Sequence, residues 1–159
     1  MSTHTAIIKW NRSSPDFLKG KYSREHTWTF DGGLTVPASP SPSVVPAPYS
    51  NPANVDPEEA FVAAISSCHM LTYLFLAYQR GFQVDSYCDQ AIGHMTRNDR
   101  GVPWVSSVEL HPQIAYSGDK LPTPADEEHL HHESHEQCFI ANSIKTVVKV
   151  EKCPQQGKS

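Results

Sequence analysis

The sequence predicts an α+β domain in which helices pack on largely antiparallel strands. Three observations predict it. In residues 20–30, Tyr22, Arg24, His26, Trp28 and Phe30 alternate with Ser23, Glu25, Thr27 and Thr29, the period of a half-buried strand. Residues 57–80 carry a long apolar helical pattern, and Gly81 is a natural stop. The elements follow in the order strands, helix, strands, helix, strand, with no internal repeat.

Each element has a local reason. Asp31-Gly32-Gly33 supplies a hairpin turn, and Leu34-Thr35-Val36 returns as the partner strand. Residues 37–52, rich in Pro and Ser, form a loop over the surface. Asp56-Pro57-Glu58-Glu59 starts the first helix, with Asp56 as N-cap, Pro57 at the first helical position and Glu59 placed for a capping box. Its apolar run, Ala60 to Ala77, is interrupted by Ser66, Ser67, His69, Thr72 and Tyr73, so it reads as a buried core helix rather than a membrane span. Residues 83–97 and 104–116 read as two strands. In the second, Val108, Leu110, Ile114 and Tyr116 share a face with Pro112, which argues for an edge or a bulge. A second helix starts at Thr123-Pro124 and runs to about Asn142, and Ile144 to Val150 forms a closing strand before a polar tail, 154–159. The 159 residues fit one domain, 1–159.

Composition narrows the function classes. With 38% hydrophobic and 19% charged residues, the chain is expected to fold rather than remain disordered. A net charge of −4 offers no electrostatic reason to expect a nucleic-acid or anionic-membrane partner. The start, MSTHTAIIKWNR, lacks the pattern of a signal peptide, so a cytoplasmic location is expected. Cys68, Cys88, Cys138 and Cys153 include no Cys-x-x-Cys pair, which leaves a zinc ribbon or thioredoxin-type motif unsupported. In a reducing compartment a transient, catalytic disulfide is the more plausible use of such thiols.

Cys68 lies on the stripe Phe61, Ile65, Cys68, Thr72, Phe75, expected to be the buried face of the first helix. A small core hydrophobe is its plain reading. The Ser66-Ser67 pair offers another: a helix break there would place Cys68 in a first turn, where free N–H groups and the helix dipole favour a thiolate. Arg24 shares a strand face with Tyr22, Trp28 and Phe30, and a guanidinium on an apolar face needs a partner or a function, unless it snorkels to solvent. Cys88 and Cys153 have neither basic nor helical surroundings and are read as incidental.

The stretch Asp56-Pro57-Glu58-Glu59-Ala60-Phe61-Val62-Ala63-Ala64-Ile65-Ser66-Ser67-Cys68 resembles the first cysteine motif of the OsmC/Ohr peroxidases. The tract His135-Glu136-Gln137-Cys138-Phe139-Ile140-Ala141-Asn142-Ser143 resembles that family's second cysteine motif, and Arg24 falls seven residues before the Asp31-Gly32 turn, where the family's arginine is expected. The resemblance covers nearly the whole chain in element order. It implies an OsmC-like fold, with antiparallel sheets around long central helices in an intertwined homodimer. It also implies that Cys68 is the peroxidatic cysteine and Cys138 the resolving one, that Arg24 stabilises the thiolate and orients substrate, and that Glu58 is the carboxylate partner of Arg24. No cofactor is implied beyond an external thiol or dithiol reductant. In a straight helix Glu58 and Cys68 are about 15 Å apart, so a break near Ser66-Ser67, a spanning arginine or a second subunit is needed. Trp28, Phe30 and Phe61 are expected to form an apolar pocket that favours organic hydroperoxides over hydrogen peroxide.

The chain departs from the family pattern at Asp56, in the long 37–52 loop, and at His69 directly after Cys68. Two other readings stand beside the peroxidase. His131, His135 and Cys138 follow helical spacings of four and three and, with Cys68, could form a zinc site. Alternatively, the fold could serve as a non-catalytic binding module.

Overall fold

The computed structural model describes residues 1–151. Cys153 and the tail 154–159 lie outside the described residues. The backbone forms two compact units, Met1–Ala60 and Phe61–Ser159.

The first unit holds a three-stranded antiparallel sheet in the order β1-β2-β3, with β1 at Ala6–Lys9, β2 at His26–Phe30 and β3 at Thr35–Ala38. The expected hairpin is present: Gly33 takes a positive φ of 88°, and the Phe30 N–H donates to the Leu34 carbonyl at 2.9 Å. The strand expected from residue 20 begins only at His26. The preceding residues bond to the Pro/Ser-rich loop instead. The Arg24 N–H donates to the Tyr49 carbonyl at 3.0 Å, and the Glu25 carboxylate accepts from the Asn51 and Asn54 side chains. β1 was not anticipated. Its four residues are all exposed, so no alternation marks it.

Helix α1, Pro57–Gln79, starts and stops as its sequence predicts. The Glu59 N–H donates to Asp56 Oδ1 at 2.8 Å and the Asp56 N–H to Glu59 Oε2 at 3.3 Å, a capping box. At the other end Gly81 has φ 78°, and the Phe82 N–H closes onto the Ala77 carbonyl at 3.0 Å. The expected break at Ser66-Ser67 is absent, because the Ser66 hydroxyl donates to the Asp89 carboxylate instead of capping a new helix. By length and composition alone α1 is also apolar enough to cross a membrane.

The second unit corrects the two long strands. Each is divided, giving β4 (Gln83–Asp89), β5 (Ile92–Arg97), β6 (Pro103–Leu110) and β7 (Pro112–Ser117). The two corners hold each other: the His111 N–H donates to Asp89 Oδ1 at 2.6 Å, and the His111 ring bonds the Gln90 carbonyl at 3.1 Å. Pro112, opposite Asp89, opens β7, a position where its missing N–H costs little. β4 pairs antiparallel with β7, β5 antiparallel with β6, and β8 (Val147–Val150) parallel with β6.

Two apolar clusters anchor this unit. One joins Ile65 to Val108 and Leu110, and the other joins Tyr73, Leu76, Ala77, Phe82 and Leu130. The approach of α1 to β5 requires Gly93, where an added Cβ would lie 2.5 Å from Val62 Cγ2. Helix α2, Pro124–Gln137, starts at a Thr123/Asp126 capping box. It ends five residues before the expected Asn142, whose side-chain amide instead donates to the Glu136 and Cys138 carbonyls at 2.8 and 2.9 Å and closes the helix end.

Candidate active site

The buried stripe of α1 is Ile65, His69, Tyr73, Leu76 and Ala77, offset from the expected one. Cys68 and Thr72 sit at its margin, half-buried, and Phe75 is 49% exposed. Cys68 lies in the interior of a continuous helix, and the Thr72 hydroxyl donates to its carbonyl at 2.9 Å. The free N–H groups of a helix start, expected beside this sulfur, are therefore not available to it.

What the fold brings to Cys68 is the second cysteine. The Cys138 thiol is buried and lies near enough to the Cys68 thiol for its titration to be perturbed. Burial raises the pKa of Cys138, the neighbouring Cys68 raises it further, and the Ala141 N–H, 3.4 Å from its sulfur, opposes the rise. Cys138 is therefore held in its protonated form. Its place follows from the early end of α2, where the chain turns to extended backbone at Cys138 with ψ 118°.

Beside the thiols lies a polar and aromatic cluster that sequence reasoning did not assemble. His69, 1% exposed, bonds through Nε2 to Nδ1 of His131 at 3.0 Å, and the two rings stack at 10°. Burial lowers both pKa values to about 4, so both rings are neutral near pH 7. His131 also lies against the Tyr73 ring at 4.4 Å, and the Tyr73 and Tyr116 hydroxyls meet at 2.6 Å. Burial raises Tyr73 to about 12 and lifts Tyr116 further, where the bonds to Tyr73 and Glu127 add to the effect. The signal was present in part: His69 follows Cys68, and His131 shares a helical stripe with Cys138.

Arg24 is half-buried in the loop before β2. Its guanidinium donates to the Tyr22 carbonyl at 2.7 Å and the Gly20 carbonyl at 3.1 Å, and lies 3.8 Å from the Tyr22 ring centroid. Among the described residues no ion pair joins it to Glu58, which is half-buried in the first turn of α1. Arg24 and Glu58 belong to the first unit, and Cys68 and Cys138 to the second. Of the three aromatics expected to line a pocket, Phe30 is 41% exposed, Trp28 bonds His26, and Phe61 packs on the Ile65 cluster. Among the described residues no three or more His, Cys, Asp or Glu gather as a metal site. The ligand set read from His131, His135, Cys138 and Cys68 does not assemble: His131 is bonded to His69, and His135 is exposed.

The fold and this site define an α+β protein with two neighbouring thiols beside a buried histidine pair. Residues 50–152 match the family model described as OsmC-like protein, and the chain belongs to that family. No curated protein matches it. Among solved structures, it is similar to an OsmC-like protein of unknown function from Vibrio cholerae O1 biovar eltor, with 51% identity, 96% of this chain and 100% of that chain covered, and a TM-score of 0.93. An organic hydroperoxide resistance protein from Elizabethkingia anophelis shares the fold at 18% identity, with 96% and 94% covered and a TM-score of 0.70. The organic hydroperoxide resistance protein OhrB of Bacillus subtilis does so at 15% identity, with 96% and 98% covered and a TM-score of 0.63.

Proposed function

We propose that this protein is a thiol-dependent peroxidase that reduces organic hydroperoxides in the cytoplasm. The proximity of the Cys68 and Cys138 thiols, from segments about seventy residues apart, carries the reading. The Cys68 thiolate attacks the distal peroxide oxygen, the O–O bond breaks, and the alcohol leaves with a proton. The resulting sulfenic acid condenses with the Cys138 thiol to form the disulfide and water. An external thiol or dithiol then restores both cysteines by exchange.

In this scheme Arg24 stabilises the thiolate and orients the peroxide, Glu58 orients Arg24, and no resident cofactor is used. The unbroken α1 removes one of the three ways to bring these groups together. A homodimer supplies another, and the exposed Leu71, Phe75 and Tyr78 on α1 favour it. The names of the hydroperoxide resistance relatives support the substrate class.

Thiol titration before and after one equivalent of cumene hydroperoxide tests the reading. The wild type should lose two thiols and Cys68→Ser none, while Cys138→Ser, exposed repeatedly to further equivalents, should accumulate sulfinic acid at Cys68, seen by mass spectrometry. A wild type that loses no thiols is a binding module, and equal peroxide consumption by wild type and Cys68→Ser ends the proposal.

A further inference from the structure

We infer that the His69–His131 hydrogen bond positions α2 so that Cys138 meets Cys68, which makes both histidines positioning residues for the resolving step. The biological meaning rests on the peroxidase reading, but the geometry stands apart from it. Adjacent positions of α1 face the α2 segment: His69 bonds His131 at 3.0 Å, and Cys68 lies near Cys138.

Helix α2 is also held by the interaction of Glu127 with Tyr116 near its start and by apolar packing. Its buried residues are Leu130 and Ser134, and the Ser134 hydroxyl turns back onto the Leu130 carbonyl of its own helix at 2.6 Å. One leucine sets how deeply a helix sits, but apolar packing is non-directional and fixes neither rotation nor sliding. The imidazole bond is directional. It joins α2 to the α1 position next to Cys68, whereas a further tie, Arg80 to Glu133 at 2.6 Å, lies toward the far end of α1.

The position is also a costly one for a histidine. His69 is almost fully buried and its Nδ1 has no partner among the described residues, whereas a leucine or phenylalanine would fill the space without stranding a polar atom. The bond from Nε2 is the compensating interaction. Because both rings are neutral, one donates and the other accepts.

Equilibration of the full-length protein in glutathione redox buffers tests this without peroxide. The protein dithiol passes two electrons and two protons to glutathione disulfide, which becomes two glutathione molecules. The Cys68–Cys138 disulfide is read by mass spectrometry. His69→Phe and His131→Ala should each lower the effective concentration of the thiol pair about tenfold. His69→Gln carries an amide at the place of Nε2 and His131→Asn one at the place of Nδ1. Both should stay within about threefold of wild type. His131 is only half-buried, so His131→Ala keeps the test available if His69→Phe does not fold. An unchanged effective concentration in His131→Ala overturns the inference, as does a loss in folded His69→Gln equal to that in His131→Ala. A wild type that forms no such disulfide at any glutathione ratio overturns it too. A wild type that forms it yet consumes no hydroperoxide ends the peroxidase reading and supports the positioning role.

Discussion

The two faces of α1 differ less in polarity than those of an ordinary surface helix. Its inward face places His69 and Tyr73 among Ile65, Leu76 and Ala77, and both polar side chains are hydrogen-bonded to residues of other elements. Its outward face presents Leu71, Phe75 and Tyr78 at 60%, 49% and 66% exposure, with the Phe75 and Tyr78 rings in edge contact at 5.6 Å. A solvent face is normally polar and a core face apolar. The inward face combines apolar burial with two directional hydrogen bonds, from His69 and Tyr73. The outward face fits the second copy proposed above.

Phe75→Asp is the strongest way to break this comparison. A carboxylate in an apolar interface costs several kcal/mol, so the substitution should weaken a homodimer by about a hundredfold or more in sedimentation equilibrium. A wild type that is monomeric at all concentrations would remove the outward face's explanation.

The inward face is probed by pH. His69 titrates near 4 in the folded protein, against an ordinary value of 6.5, so the unfolded chain binds more protons between these values. Its contribution is complete above about pH 6.5 and is lost as pH falls toward 4, a decline of roughly 3 kcal/mol at most, readable by denaturant titration. His69→Gln should remove the share of His69 and leave that of His131, which also titrates near 4, and an equal slope in both proteins would count against a buried neutral ring at His69.

The smallest effect concerns the fit of α1 to β5. Gly93→Ala places a methyl group 2.5 Å from Val62 Cγ2 and should destabilise by about 1–3 kcal/mol in thermal melts, with Val62→Ala relieving part of the loss.

The local features were legible because their causes are local. Asp56 and Glu59 cap each other across three residues, Gly33 and Gly81 take positive φ where turns need it, and Thr123 opens α2. The errors arose where a distant group competed for a local one. Ser66 had the chemistry to cap a new helix but bonds Asp89, and Asn142 had the pattern to continue α2 but folds back to close it. The corner at Asp89 and His111 split two runs whose apolar pattern was continuous.

By itself the sequence determined where helices start, which turns are tight, and that two cysteines and a family motif set a thiol chemistry to look for. Tertiary structure alone decided that the two thiols lie near each other, that His69 pairs with His131, and that the buried stripe of α1 runs through His69 rather than Cys68. The physical reason is range. A cap or a glycine turn is settled by atoms a few residues apart, whereas the rotation of a long helix is settled by whatever the rest of the chain packs against it.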